Sequence, residues 1–184
     1  MKKIIFIADF FVEQHLGGAE INDNTLISEL VSSGFQVERI NSNMVTKDFI
    51  LQNLDNLFVI SNFSGLNLQL APYFALGDYC FYEHDYKFLA SRTPISYPNF
   101  IAPKEKIINH NFYKNAKAVI CLCEMHAKIF KDNLELDNIK HINCSMFDDA
   151  KIDLLLSLGK KEKTNLTPKE QNTLRQLGKK LMEL

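Results

Sequence analysis

Residues 3–8 read KIIFIA, a continuous apolar run that stops at Asp9. Such a run suits a strand buried on both faces. Similar segments recur at 35–40, 56–61 (NLFVIS), 78–82, 118–123 (AVICLC) and 139–144, and helical patterns fit between them at 19–33, 46–53, 66–76, 103–115 and 124–134. This alternation confines the fold more than any other feature. Parallel strands need crossovers of about a dozen residues or more, and those crossovers are right-handed. The expectation is an α/β chain: a single Rossmann-like three-layer sandwich with a mostly parallel sheet of about six strands, plus a C-terminal helical tail.

Local signals support the helices. Ala19, Ile27, Leu30 and Val31 fall near one face at helical spacing, Leu26 broadens that stripe, and Gly34 stands where a C-cap glycine belongs. In the tail, Ser145 with Asp148 and Thr167 with Glu170 each have capping-box spacing, and Pro168 suits the first helical position. Leu174, Leu177, Leu181 and Leu184 form an apolar stripe that has to cover its own domain, a partner or a membrane surface.

Charge divides the chain in the same place. Residues 151–184 carry eight Lys/Arg against four Asp/Glu, and residues 1–150 carry 13 against 18, within a net charge of −1. The domains expected are therefore 1–145, an acidic Rossmann-like body, and 146–184, a basic helical tail. The neutral balance offers no general attraction for nucleic acid. The N-terminal apolar run is too short for a signal sequence or a membrane span, so a cytoplasmic location is expected, with peripheral membrane contact open through the tail. Cys80, Cys121, Cys123 and Cys144 lack Cys-x-x-Cys spacing. Buried free thiols and no metal site follow.

In open α/β sheets, ligands bind beyond the carboxyl ends of the strands. The first such loop here runs from Asp9 to Glu20 and ends Gly17-Gly18-Ala19-Glu20. Two glycines at a helix start allow close backbone approach, and the free N–H groups there favour an anion such as a phosphate. The loop is neither a dinucleotide G-x-G-x-x-G nor a P-loop. An ordinary glycine turn into a helix is the competing reading.

Taken together, the stretch KIIFIADFFVEQHLGGAEINDNTLISELVSSGFQVERI resembles the amino-terminal start of GT-B fold glycosyltransferases, in particular the large retaining family that uses nucleotide sugars. The resemblance covers roughly residues 3–145. It implies an acceptor-side domain whose glycine loop lies near the donor diphosphate, with Gly17 and Gly18 facing the phosphates and Ala19 and Glu20 beginning the helix behind. The segment Tyr82-Glu83-His84-Asp85-Tyr86 also resembles the family, where a His-Asp or His-Glu pair at this place lines the cleft. His84 and Asp85 are thereby candidates for contact with sugar hydroxyls and for a catalytic role. His15, Glu20, Tyr86, Lys87 and Arg92 complete the candidate acceptor cleft, the last three from a long aromatic loop at 86–102.

A complete GT-B enzyme has a second Rossmann-like domain that binds the nucleotide sugar. Glu162 and Glu170 share the spacing of that domain's acidic pair, but no strand precedes them, and Glu170 is explained by its capping position. The expectation is therefore a truncated, acceptor-side half, inactive alone. Its nucleotide-sugar co-substrate would be held by a second polypeptide; self-association through the 167–184 helix is the other partnership considered. Two other functions stay open: a non-catalytic interaction protein on a transferase scaffold, and a small Rossmann-like enzyme that binds a nucleotide.

Overall fold

The computed structural model describes residues 3–142 together with Asp153 and Ser157. The chain divides into two units, 1–146 and 147–184. In the second, Asp153 and Ser157 are helical and exposed. The expected caps at Ser145–Asp148 and Thr167–Glu170, the leucine stripe ending at Leu184, Glu162 and Cys144 lie outside the described residues.

The first unit is a six-stranded, all-parallel α/β sandwich. Its strands are β1 (Ile4–Ala8), β2 (Val37–Asn41), β3 (Leu57–Ile60), β4 (Asp78–Glu83), β5 (Ala118–Cys121) and β6 (Ile139–His141), and they lie in the order β2-β1-β3-β4-β5-β6. The winding therefore reverses at β1. Right-handed crossovers that leave β1 in one direction and return past it in the other must run over opposite faces of the sheet. That is what the core shows. Helix α1 (Gly18–Ser32) packs Ile27 with Ile4, Phe6 and Ala8 of β1. The helices α2 (Lys47–Gln52), α3 (Ala71–Phe74), α4 (His110–Lys114) and α5 (Glu124–Leu134) cover the other face, over Ile5, Ile7, Phe58, Ile60, Phe81 and Val119. Alternate residues of β1 thus enter two different cores, which explains why its sequence is apolar at every position.

Several elements follow their local signals closely. Helix α5 spans the expected 124–134, and Thr46 caps α2 by accepting the Phe49 N–H at 3.2 Å. Gly34 closes α1 in a Schellman motif: its N–H reaches Val31 O and the Phe35 N–H reaches Leu30 O, both at 3.0 Å, with φ at +87°. Open space surrounds the position where a Cβ would stand. Gly34→Ala should therefore cost only the left-handed backbone penalty, about 1 kcal/mol, read as a lower urea midpoint with unchanged m.

Other expectations need correction. The helix expected at 66–76 contracts to a 3-10 turn at Leu68–Leu70 and the short α3, where Pro72 lies in the first turn. The helix expected at 103–115 breaks into a turn at Lys104–Lys106 and α4, separated by Asn109 at φ +59°. Phe35 is exposed and precedes β2 rather than starting it. The apolar stripe assigned to α1 is also wrong in part. Val31 is 54% exposed, whereas Glu20, Asn22 and Asp23 are buried beside Ile27. Counting apolar residues cannot find a buried face whose polar groups are satisfied by partners elsewhere in the chain. Cys123 departs likewise: it is exposed at the N-cap of α5 rather than buried within a strand.

Candidate functional site

Reversal of the winding at β1 opens a crevice at the carboxyl ends of β1, β3 and β4. A cleft of about 450 Å³ lies there, bordered by Asp9, Gly18, Glu20, Asn62, His84 and Arg92, among others. Each wall has a physical origin that begins in the chain.

The first wall is the start of α1. Gly17 is its N-cap, extended at φ −120°, ψ 173°, and offers no side chain to the helix. The first intrahelical bond runs from Ile21 N–H to Gly17 O at 3.0 Å. The N–H groups of Gly18, Ala19 and Glu20 therefore precede the ladder, and all three residues border the cleft. A Cβ on Gly17 would stand 2.3 Å from Glu20 Oε2, so the Glu20 carboxylate occupies the space that glycine leaves free.

The floor is tied down by Asp9. Its carboxylate accepts the N–H groups of Ser64 at 3.0 Å and Gly65 at 2.9 Å and also the Ser42 hydroxyl, joining the ends of β1, β2 and β3. Burial pushes the carboxyl upward, but the Gly65, Ser42 and Ser64 hydrogen bonds outweigh it and hold Asp9 below the ordinary carboxylate range. A Cβ on Gly65 would meet Ser42 Oγ at 2.8 Å, so this glycine is required by close approach.

The second wall follows β4. His84 Nε2 lies 2.7 Å from Asp23 Oδ1, and Asp23, 1% exposed, also accepts the Ser61 hydroxyl at 2.8 and 2.7 Å. The His84 ring stands edge-on to Tyr82, centroids 5.1 Å apart, and the Tyr82 hydroxyl donates to Asn22 Oδ1. Below this, Glu83 and Lys87 form a fully buried ion pair, and Tyr113 donates its hydroxyl to Glu83 Oε2 at 2.5 Å. Burial works against the Lys87 charge, yet the Glu83 and Asp85 carboxylates hold the ammonium above its usual range. Asp85 then connects the buried layer to the cleft. Its carboxylate lies 3.0 Å from Lys87 Nζ and 3.4 Å from Arg92 Nη1, while Arg92 Nη2 donates to Ser64 Oγ at 2.6 Å. Arg92 holds φ at +52°, a conformation that a long side chain adopts only when its surroundings over-determine it.

Gly18, Glu20, His84, Asp85 and Arg92 thus meet in one cleft. The other candidates stand elsewhere. Gly17 acts from behind as the N-cap. His15 is exposed beside Phe10, ring centroids 6.0 Å apart. Tyr86 packs on His126 and Phe130, and Lys87 is consumed by Glu83. From the aromatic loop at 86–102, only Arg92 borders the cleft; Phe88 and Tyr97 pack with the core. Residues that sequence reasoning missed include Asp9, Asn22, Asp23 and Ser61. The 20-23-27 spacing on α1 places Glu20 and Asp23 in line with Ile27, a helical face that an apolar count passes over.

Among the described residues, no three His, Cys, Asp or Glu side chains converge as a metal site requires, and no helix is long and apolar enough to cross a membrane. No known family profile matches the chain, and no curated protein matches it.

Proposed function

We propose that the first unit is the acceptor-side half of a GT-B-type glycosyltransferase. It works with a second, donor-binding Rossmann-type domain and moves a sugar from a nucleotide sugar to a saccharide or lipid-linked acceptor. The observation that carries this is that Gly18, Ala19 and Glu20, the first residues of α1, border the same cleft as His84 and Asp85. An uncapped helix start favours the negative charge of a donor diphosphate. His84 and Asp85 supply polar contacts for hydroxyls, and Arg92 adds a fixed cation. The cleft volume of about 450 Å³ lies within the range of small-molecule sites.

Calorimetric titration of the full chain with a panel of nucleotide sugars and saccharides tests this. Binding of a saccharide and weak binding of a nucleotide sugar are expected, because the second domain holds most of the donor, and Gly18→Pro should weaken the nucleotide-sugar binding about tenfold by removing one charge-assisted donor. Proline is tolerated at N1, and Gly17 already has the extended backbone that a following proline needs, so stability should hold. No binding of any nucleotide sugar or saccharide would overturn the proposal. Tight binding of a bare nucleotide would favour the small nucleotide-binding enzyme instead.

A further inference from the structure

We infer that the acceptor carries an ammonium group, as an amino sugar does, and that Glu20 receives it. This names the substrate class of the cleft described above and rests on the transferase function proposed for it.

The geometry begins with a carboxylate that has no partner. Glu20 is 8% exposed, yet among the described residues no hydrogen bond or ion pair reaches it. Taking a carboxylate out of water is costly unless a donor or a cation replaces the lost hydration. Its neighbours are all provided for. Asp9 accepts from Ser42, Ser64 and Gly65. Asp23 accepts from Ser61 and has His84 Nε2 at 2.7 Å, and Asp85 lies against Lys87 and Arg92. The Glu20 oxygens are also not sealed. Among the described residues, the buried side-chain atoms that lack both a hydrogen bond and contact with solvent belong to Asp85 and Asn138. The small surface that Glu20 keeps therefore includes its carboxylate oxygens, and Glu20 borders the cleft.

Charge decides what can fill this gap. Three carboxylates, those of Asp9, Glu20 and Asp85, border the cleft against one guanidinium, that of Arg92, which Asp85 and Ser64 already hold. A cleft lined by an excess of one sign concentrates ligands of the other. The donor diphosphate adds further negative charge at the α1 start, beside Glu20. A ligand cation between the two relieves that repulsion, and a neutral hydroxyl does not. The ring of Phe10, 53% exposed, borders the same cleft. It lies 6.0 Å from the His15 ring, and His15 in turn stands 3.3 Å from the point where a Gly17 Cβ would meet Glu20 Oε2. An exposed aromatic face near an unpaired carboxylate suits an ammonium, which the ring attracts through its quadrupole. An amino sugar supplies that charge together with hydroxyls for His84 and Asp85.

Calorimetric titration of the full chain at about pH 6, where a primary amine is charged, tests the assignment. The probes are the methyl glycosides of glucosamine, galactosamine and mannosamine, each compared with its 2-hydroxy parent and its N-acetyl derivative. At least one amine should bind about 10–100-fold more tightly than both counterparts, as expected for a charge-assisted bond. Glu20→Gln keeps the shape of the side chain and should abolish that preference. Gly17→Ala keeps the carboxylate but places a Cβ 2.3 Å from Glu20 Oε2, so the carboxylate has to swing away and the preference should fall severalfold. The backbone of Gly17, at φ −120°, accommodates alanine. If no amine binds more tightly than its parent, or if the preference survives in Glu20→Gln, the ammonium site is overturned and the transferase function stands. Failure of every saccharide and nucleotide sugar to bind overturns the transferase function, and the ammonium site with it.

Discussion

Glu83→Leu should destabilise the first unit by about 3–5 kcal/mol, the cost of leaving a buried ammonium without its carboxylate. Lys87 is 3% exposed, and its side chain is enclosed by Glu83, Asp85 and the Phe63 ring, whose centroid lies 5.5 Å from Nζ. The Tyr113 hydroxyl loses its acceptor in the same substitution, and it too is fully buried. The informative comparison is the double variant Glu83→Leu with Lys87→Met. It removes both charges and replaces them with apolar groups of similar length, so most of the loss should return. Urea denaturation with constant m measures both. A single variant within about 1 kcal/mol of the wild type would mean that water reaches Lys87 and that the pair is not desolvated. The consequence extends to the cleft, because Lys87 holds Asp85 and Asp85 holds Arg92. Arg92 should become more mobile in the single variant.

Asp9→Asn should cost about 2 kcal/mol at neutral pH and should remove an acid-sensitive part of the stability. The aspartate accepts two backbone N–H groups and one hydroxyl, and charge-assisted bonds of this kind are the stronger ones. An asparagine offers one oxygen and turns two donors toward groups that also donate. The pH dependence follows from the direction of the shift. The folded-state carboxyl lies below its ordinary value of 3.8, so the unfolded chain takes up the proton first. The stabilisation is whole above about pH 4 and is lost as pH falls below 3.8 and through the lower folded-state value. Wild type should therefore lose stability over that window faster than Asp9→Asn. Equal slopes for the two proteins would refute the assignment. The same variant should loosen the turn at Ser64 and Gly65, and with it the hydroxyl that holds Arg92.

Much of the architecture is legible along the chain. Unbroken apolar runs mark strands buried on both faces, and β1, β3 and β5 begin within one residue of their expected starts. Gly34 announces the end of α1, and Thr46 the start of α2, because each acts on backbone groups only a few residues away. Where the chain was misread, the local rule met a distant constraint. The stretch at 103–115 has helical composition, yet Asn109 turns left-handed and donates its side-chain N–H to Lys87 O at 2.8 Å, which anchors it to the loop after β4. Tyr86 stands among the candidate acceptor-cleft residues in the sequence, and it instead packs on His126 and Phe130 of α5.

The cleft shows the same division more sharply. His84, Asp85 and the glycine pair could be picked out because strand ends and helix starts are visible in the pattern. Asp23 could not. Its acid lies 61 positions before His84, and only the crossover of α1 over β1 and β3 brings it against Ser61 and His84. Residue order alone determined the α/β class, the parallel sheet and the loops that carry polar groups, since those depend on periodicity and capping within a few residues. Tertiary structure alone decided which of those groups meet, which are consumed in buried pairs and which face the cleft. Partner choice across the sheet depends on strand order and on the side of the crossover, and neither is encoded by local spacing.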